Sequence, residues 1–288
     1  MHQDPPSSDT LSLLACQITV PSMTTTAERD AHLKASVQKV RHALKSACNP
    51  VDLVVLPELS SLDYAPETFD ALETLAEPLD GPSFIAWRAL AMEARVHVCY
   101  GFARHEGGQY YISMAVVGPN GDRIGHYDKL HLAQFGASSE KAYFTRGDHV
   151  FTFEVKGFKL APIICYDIRI PELSRTLAID HDVTVILHCG AYYRDESFPT
   201  WHPFAITRAL ENQVYLLSLN RAGPTYGNSL FCPPWQDDHT PPLSFKETRE
   251  DLRQITLNMQ SVTEARQKYT FLGDRLPDYE AGLSPANA

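Results

Sequence analysis

The sequence contains no apolar run long enough to form a membrane-spanning helix. Such a helix needs roughly 18 uninterrupted apolar residues, and no stretch of the chain approaches that length. Residues 1–10 (MHQDPPSSDT) are polar and lack both the basic and the apolar region of a secretory signal peptide. We therefore expect residues 1–10 to be a disordered leader and the protein to be cytoplasmic.

Long runs of Lys or Arg are also absent, and the formal net charge is −10. A protein that follows a phosphate backbone or lies on an anionic bilayer needs clustered positive charge. We therefore expect no nucleic-acid partner and no membrane partner. The chain also has no glycine-rich loop of the kind that cradles phosphate groups.

The six cysteines include no CxxC pair, and the chain is far larger than a disulfide-rich scaffold. We expect reduced thiols. His131, His188 and Cys189 could in principle contribute to a zinc site, but no two Cys or His residues have a familiar ligand spacing. We therefore expect no metal and no cofactor, with a zinc site kept as an alternative.

The 288 residues are 44% hydrophobic and 21% charged, which is typical of a globular protein. No linker rich in Pro, Gly or Ser divides the chain, so we expect one domain over residues 11–282 and a disordered tail over residues 283–288. Apolar runs predict strands at residues 11–18, 51–56, 96–102, 183–187, 214–220, 229–232 and 254–259. Turn residues at 118–121 (GPNG) and at Gly157 predict two hairpins, over residues 111–117 with 123–127 and 151–155 with 158–164. Helical patterns occur after Thr25 and at residues 66–76, 83–94, 171–180 and 201–212. Helices and strands alternate while hairpins recur, which predicts an α/β fold with mixed sheets.

Cys165 lies between a predicted strand and a predicted helix, in the segment KLAPIICYDIRIPEL. A thiol at a strand-to-helix turn can be exposed at the end of a sheet and lie near backbone N–H groups, which favours the reactive thiolate. A cysteine beside an apolar strand more often serves packing. Cys165 alone therefore does not establish chemistry.

Glu58 and Lys129 also follow predicted strands. Glu58 comes directly after VDLVVLP, and sites in α/β folds assemble at the carboxyl ends of strands. Lys129 follows the second strand of a hairpin, within YDKLHL. Alternatively, Glu58 caps the next element and Lys129 is a strand-end charge that reaches water. With Cys165 they supply a base, a cation and a nucleophile, a set that suits acyl transfer from nitrogen to water.

Three segments resemble the signature blocks of the nitrilase superfamily of carbon–nitrogen hydrolases, and they occur in the family's order. They are PELSSLDY (57–64), YDKLHL (127–132) and CYDIRIPEL (165–173). Shorter matches are ACQ (15–17), AVVGPNGDRIGHYDK (115–129), RALENQVY (208–215) and DRLPDY (274–279). The resemblance thus covers nearly the whole chain after the leader.

The resemblance implies a four-layer α-β-β-α sandwich with a Glu-Lys-Cys triad. In this interpretation Glu58 is the general base, Cys165 the nucleophile, and Lys129 stabilises the oxyanion together with the backbone N–H of Tyr166. Glu140 matches a second family glutamate that orients Lys129 and the substrate, although we expect it in a loop. Family members associate, so the resemblance also implies a homodimer or a higher homo-oligomer.

CYDIRIPEL and GAYYRDESFPTWH (190–202) resemble the ω-amidase branch, which hydrolyses the side-chain amide of dicarboxylic acid monoamides such as α-ketoglutaramate. The expected substrate is a small carboxylate-bearing amide. Arg169 could clamp its carboxylate, or it could form a structural ion pair with Asp167 or Glu172. Tyr64 and Tyr192 match aromatic positions that line the pocket in that branch.

Several residues depart from the family pattern close to the expected substrate. They are Asp63, which could add an acid at the pocket mouth, Arg146, the His188-Cys189 pair and the segment 232–242. Cys189 could line the pocket or be a buried thiol. These departures leave the choice of substrate open.

Other functions stay open at this stage. An N-carbamoyl amino acid hydrolase or a nitrilase would use the same triad, and a non-catalytic interaction protein could share the fold. A Cys-His dyad with His131 is a further alternative, and Asp148 with Asp167 would form a carboxylate pair for glycosidic or phosphoryl chemistry.

Overall fold

A computed structural model describes residues 9–136 and 138–276 of the chain. The strands in these ranges are β1 (Thr10–Gln17), β2 (Leu53–Val55), β3 (His97–Glu106), β4 (Gln109–Val117), β5 (Arg123–Asp128), β6 (Phe153–Val155), β7 (Phe158–Ile164), β8 (Val185–Cys189), β9 (Tyr215–Leu219), β10 (Leu230–Cys232), β11 (Leu243–Ser244) and β12 (Asp251–Asn258). The helices are α1 (Thr26–Lys45), α2 (Pro66–Phe69), α3 (Leu72–Leu75), α4 (Pro82–Ala94), α5 (Glu140–Tyr143), α6 (Pro171–Ile179), α7 (Phe198–Asn212) and α8 (Met259–Lys268). Two 3₁₀ helices cover Cys165–Arg169 and Thr270–Leu272.

The described strands form two six-stranded sheets, ordered β12-β1-β2-β3-β4-β5 and β11-β10-β9-β8-β7-β6. Each sheet has a parallel centre, β1-β2-β3 in one and β7-β8-β9 in the other. Antiparallel strands flank both centres. The predicted α/β fold with mixed sheets is therefore confirmed.

Successive side chains of β1 belong to two different cores, because neighbouring residues of a strand point to opposite faces of the sheet. Leu13 and Ala15 pack into the core that also contains Leu160 of the second sheet. Leu14 and Cys16 instead pack with the apolar residues of α1 and α4. One face of the first sheet thus lies on the second sheet and the other is covered by helices.

Helices also cover the second sheet. Trp201 and Ala205 of α7 and Leu173 and Leu177 of α6 are buried against apolar residues of the second sheet. The order of layers is therefore helix, sheet, sheet, helix, which confirms the expected four-layer sandwich.

The predicted start of α1 is confirmed in atomic detail. The backbone N–H of Glu28 donates to Thr25 Oγ1 (3.3 Å), and the backbone N–H of Thr25 donates to Glu28 Oε2 (3.0 Å). This reciprocal pair satisfies two N–H groups that would otherwise lack an intrahelical acceptor. It ends the loop after β1 and sets where the helix begins.

Some elements differ from the sequence predictions. Residues 66–76 form two short helices instead of one, because the chain breaks at Asp70 and Ala71 between α2 and α3. Helix α7 begins at Phe198, three residues before the predicted start. The sequence patterns also missed α8, whose Ala265 accepts a hydrogen bond from buried Gln213 of the same chain (3.0 Å).

The expected domain limits stay a prediction. Strand β1 begins at Thr10, inside the segment expected to be a leader. Residues 1–8 and the expected tail at 283–288 lie outside the described residues. No helix in the described ranges combines the length and the apolar character that a bilayer crossing requires.

The fold brings several strand ends to one region between the sheets. Glu58 follows β2, Lys129 directly follows β5, and Cys165 directly follows β7. Gly101 of β3 allows the segment that carries Glu58 to pack closely, since a Cβ at Gly101 would lie 2.4 Å from the carbonyl oxygen of Pro57. The close contact between β3 and this segment therefore requires glycine.

Candidate active site

Lys129 lies between two carboxylates in the interior of the protein. Its Nζ is 2.8 Å from Glu58 Oε1 and 2.7 Å from Glu140 Oε1, and all three side chains have no exposed surface. An ammonium group carries three N–H donors, and these two hydrogen bonds use two of them. The third N–H of Lys129 has no acceptor among the described residues.

Each carboxylate of this cluster is held by further donors. The backbone N–H of Ala191 donates to Glu58 Oε2 (2.8 Å). The Tyr64 hydroxyl donates to Glu140 Oε1 (2.6 Å), and the backbone N–H of Ala133 donates to Glu140 Oε2 (2.8 Å). These donors fix the orientation of both carboxylates, as a buried charge requires.

The cluster has one positive charge for two carboxylates, so it carries an excess negative charge when both are ionised. Burial raises the pKa of Glu58 to about 7, with Lys129 lowering it and Glu140 raising it further. For Lys129, burial alone would lower the pKa, but the charges of Glu140 and Glu58 raise it well above its ordinary value. Lys129 therefore stays charged while Glu58 can accept a proton near neutral pH.

Cys165 lies at a strained turn beside this cluster. Its φ is 46°, a left-handed conformation that a non-glycine residue rarely adopts. The chain passes here from the end of β7 directly into the 3₁₀ helix Cys165–Arg169. The expected position between a strand and a helical segment is thus correct.

The expectation that this turn favours the thiolate is wrong for the protein without substrate. Burial and the negative charge of Glu58 raise the pKa of Cys165 well above its ordinary value, and Lys129 only partly opposes them. The resting sulfur is therefore a thiol. It needs a base before it can react, and Glu58 is the neighbouring group whose raised pKa suits that task.

Asp167 holds together the two segments that carry Lys129 and Cys165. It accepts hydrogen bonds from the Tyr127 hydroxyl (2.7 Å), from the backbone N–H of Ile164 (2.9 Å) and from His131 Nδ1 (2.7 Å). His131 therefore orients Asp167, and the geometry gives no support to a Cys-His dyad. Asp148 is exposed and paired with His149, so it forms no carboxylate pair with buried Asp167.

A narrow cleft opens above Cys165. Its free volume is about 20 Å³, which is room for roughly one water molecule. Its lining includes Phe135, Tyr166, Arg169, Ala191 and Tyr192.

Arg169 borders this cleft but makes neither of the ion pairs that the sequence left open. Its Nη1 donates to Thr200 Oγ1 (3.1 Å), and the guanidinium carbon lies 5.5 Å from the ring centre of Phe135. Its Nη2 is buried and has no acceptor among the described residues. No ion pair joins it to Asp167 or Glu172 within the described part of the chain.

The tyrosines expected to bind substrate have different surroundings. Tyr166 lies at the cleft, with its ring 5.4 Å from that of Phe135. The Tyr64 hydroxyl is bound to Glu140, and the Tyr192 hydroxyl donates to the carbonyl oxygen of Cys165 (2.8 Å). Contact of these three residues with substrate stays a prediction, while Tyr64 and Tyr192 also have partners within the site.

The structure also shows the surroundings of three residues that depart from the family pattern. Asp63 pairs with fully buried Arg221 (3.2 Å) instead of adding an unpaired acid. Cys189 is fully buried and does not line the cleft, so it is a buried thiol. His188, considered above as a zinc ligand, lies between Ser218 and the backbone of Cys165.

Sequence reasoning missed the backbone donors of the site, Ala133 and Ala191, because any residue supplies an N–H group and no residue type reveals it. It also expected Glu140 in a loop. Glu140 is the first residue of α5, where the N–H of Phe144 donates to its carbonyl oxygen (2.8 Å).

Within residues 9–136 and 138–276, no group of three or more His, Cys, Asp and Glu side chains is arranged to hold a metal ion.

The chain matches the family model described as carbon-nitrogen hydrolase over residues 14–267. It is 29% identical over 256 residues to an (R)-stereoselective amidase from Pseudomonas sp., covering 86% of this chain and 88% of that relative. It is 30% identical to the 2-oxoglutaramate amidase of Bacillus subtilis, covering 83% and 90%.

A solved structure of a variant of the amidase from Nesterenkonia sp. AN1 has a TM-score of 0.71 to this chain at 18% identity, covering 95% and 99% of the two chains. In that structure the acetamide moiety of fluoroacetamide is attached covalently to the active-site cysteine. At this identity the likeness establishes the fold.

The raised pKa of Glu58 predicts how Cys165 reactivity depends on pH. The rate of Cys165 alkylation by iodoacetamide, followed by peptide mass spectrometry, should fall as pH drops through about 7, because protonated Glu58 cannot accept the thiol proton. Glu58→Gln should slow alkylation about a hundredfold at pH 8.

Glu73→Gln is the matched control, since it makes the same change on an exposed side chain of α3 and should leave the profile unchanged. A wild-type profile whose acid limb lies near pH 4.5, the ordinary pKa of a glutamate, would contradict the raised pKa of Glu58, and unchanged alkylation in Glu58→Gln would contradict its assignment as the base.

Proposed function

Because the chain belongs to the carbon–nitrogen hydrolase family and is an amidase-type member of its ω-amidase-like branch, we propose that it hydrolyses a small carboxylate-bearing amide through a thioester on Cys165. The observation that carries this proposal is the buried cluster of Glu58, Lys129 and Glu140 beside the Cys165 thiol. The cluster supplies a base with a pKa near 7 and a permanent cation at the same place.

The first half of the reaction forms the thioester. Glu58 accepts the proton of Cys165, and the sulfur attacks the carbonyl carbon of the amide. Negative charge develops on the carbonyl oxygen, where the third N–H of Lys129 and the backbone N–H of Tyr166 stabilise it. Glu58 then gives its proton to the leaving nitrogen, the C–N bond breaks, and ammonia is released.

The second half regenerates the thiol. Water attacks the thioester while Glu58 accepts one of its protons, and the same oxyanion donors act again. The C–S bond breaks, the sulfur regains a proton from Glu58, and the carboxylic acid leaves. Glu140 does not exchange protons in this scheme; it holds Lys129 Nζ in place (2.7 Å).

Arg169 supports a substrate with a carboxylate. Its buried Nη2 finds no acceptor within residues 9–136 and 138–276, and Arg169 borders the cleft of Cys165. Leaving a buried donor unpaired is costly, and a substrate carboxylate would supply the missing acceptor. The likeness to a 2-oxoglutaramate amidase supports the same substrate class.

The size of the cleft supports a small substrate. With free volume for roughly one water molecule, it admits an amide only when a lining side chain moves. Phe135 is the side chain placed to do so, since it lies at the cleft and 39% of its surface is exposed. Its displacement would also uncover one side of the guanidinium of Arg169, which lies between the rings of Phe135 and Phe204.

A substrate panel tests the reaction class. Small amides that carry a carboxylate should release ammonia, whereas N-carbamoyl amino acids, which would release carbon dioxide as well, and nitriles should be poor substrates. Cys165→Ala should abolish turnover of every active compound, because the nucleophile is lost. Undiminished turnover by Cys165→Ala would disprove the thioester mechanism, and preferential turnover of carbamoyl compounds or nitriles would replace the proposed substrate class.

Arg169→Met tests the carboxylate clamp separately. We expect it to raise KM about tenfold or more for a dicarboxylic acid monoamide and to have little effect on a neutral amide of the same length, because only the former loses a charge-assisted hydrogen bond. Arg146→Met, which removes an exposed arginine, serves as the control. Equal effects on both amides would exclude a carboxylate contact.

A further inference from the structure

The strained turn at Cys165 needs an explanation that the catalytic cluster does not provide. The residue has a φ of 46°, and its backbone can persist in this conformation only if neighbouring groups hold it there. Two buried side chains reach its carbonyl oxygen: the Tyr192 hydroxyl at 2.8 Å and His188 Nε2 at 3.0 Å. One of them, His188, is a departure from the family pattern.

His188 belongs to a chain of buried hydrogen bonds that begins at Trp201. Trp201 Nε1 lies 2.7 Å from Ser218 Oγ, and Ser218 Oγ lies 2.7 Å from His188 Nδ1. His188 and Ser218 are paired residues of the neighbouring parallel strands β8 and β9, so the sheet itself sets their separation. All three residues are fully buried.

The two ends of this chain determine the direction of every hydrogen bond. The indole N–H of Trp201 can only donate, so Ser218 Oγ accepts from it and its own hydroxyl hydrogen is free for His188 Nδ1. At the other end the Cys165 carbonyl oxygen can only accept, so His188 Nε2 carries the proton. In the neutral ring Nδ1 is then the unprotonated nitrogen, and it accepts from the Ser218 hydroxyl. One tautomer of His188 therefore satisfies every member of the chain.

We propose that His188 is a positioning residue for Cys165: Trp201 and Ser218 hold it as the Nε2–H tautomer, and it fixes the carbonyl of Cys165 so that the strained turn keeps the sulfur aimed at the base. This inference deepens the proposed function and rests on Cys165 being the nucleophile. His188 itself exchanges no proton with substrate.

The surroundings of His188 support a fixed role. Burial lowers its pKa to about 4, so the ring stays neutral throughout the pH range in which Glu58 is ionised. The second donor to the same carbonyl is equally constrained, because the Tyr192 ring stacks on Trp201 with centroids 4.5 Å apart and planes inclined by 9°. Trp201 thus supports both donors, one by hydrogen bonding through Ser218 and one by stacking.

Gly190 shows how little freedom this arrangement has. A Cβ at Gly190 would lie 2.7 Å from the Tyr192 ring, so the segment between β8 and Tyr192 has room only for glycine. The segment from His188 to Tyr192 therefore supports both Cys165 and Glu58. It holds the Cys165 carbonyl at two points and Glu58 Oε2 at a third.

A pair of substitutions at His188 tests the proposal. His188→Leu removes the donor and leaves the Ser218 hydroxyl without its acceptor, whereas His188→Gln offers a carbonyl oxygen to Ser218 and an amide N–H to Cys165. The measured quantity is the rate of Cys165 alkylation by iodoacetamide, mapped by peptide mass spectrometry. Because alkylation needs no amide substrate, its outcome stands whether or not the proposed amidase activity holds.

We expect His188→Leu to react about tenfold more slowly than wild type, and His188→Gln to recover to within about threefold of wild type. The midpoints of thermal unfolding of the two variants, measured in parallel, show that both are folded at the assay temperature. In steady-state assays the loss in His188→Leu should fall on kcat with little change in KM. Alkylation of His188→Leu at the wild-type rate, or of His188→Gln as slowly as His188→Leu, would overturn the proposal.

A measurement without any substitution at the site guards against variants that fail to fold. Two-bond ¹H–¹⁵N spectra of the ¹⁵N-labelled wild-type protein report which ring nitrogen of each histidine carries a proton. His188 should show a protonated Nε2 and an unprotonated Nδ1 from pH 6 to 8. A protonated Nδ1 would break the chain of donors and overturn the inference.

Discussion

The buried ammonium of Lys129, held between Glu58 and Glu140, is the interaction on which the rest of the site depends. Burying one cation with two carboxylates leaves an uncompensated negative charge, when both are ionised, among side chains that have no exposed surface. This arrangement would be unfavourable if the two carboxylates had no other hydrogen-bond donors. The Tyr64 hydroxyl and the backbone N–H groups of Ala133 and Ala191 supply them. As a chemical consequence, the pKa of Glu58 is raised to about 7, so that Glu58 can exchange a proton near neutral pH.

The same excess charge explains why the thiol and the base belong together. A thiolate at Cys165 would add a second negative charge beside Glu58, so the sulfur keeps its proton until the proton can move to Glu58. Charge then moves within the cluster, from carboxylate to sulfur to substrate oxygen, while Lys129 stays cationic beside it. The strand ends and the strained turn matter because this exchange depends on short, fixed distances.

The sequence predicted the parts of this account that depend on residue type and on position after a strand. Glu58, Lys129 and Cys165 each follow a predicted strand, and the apolar runs at residues 11–18 and 51–56 correctly predicted β1 and β2. Burial itself was not readable from the sequence, so the sequence suggested a thiolate, whereas burial and the charge of Glu58 raise the pKa of Cys165. The contact between His188 and Ser218 depends on the pairing of β8 with β9, and the donors to Glu58 and Glu140 include backbone groups that no residue type reveals.

The pKa of Glu58, measured by ¹³C NMR of the side-chain carboxyl in wild type and in Glu140→Gln, tests the central claim most directly. Our account attributes part of the raised pKa to the charge of Glu140, so Glu140→Gln should lower the pKa of Glu58 while Lys129 remains paired with it. A pKa of Glu58 that is unchanged or higher in Glu140→Gln would contradict the account.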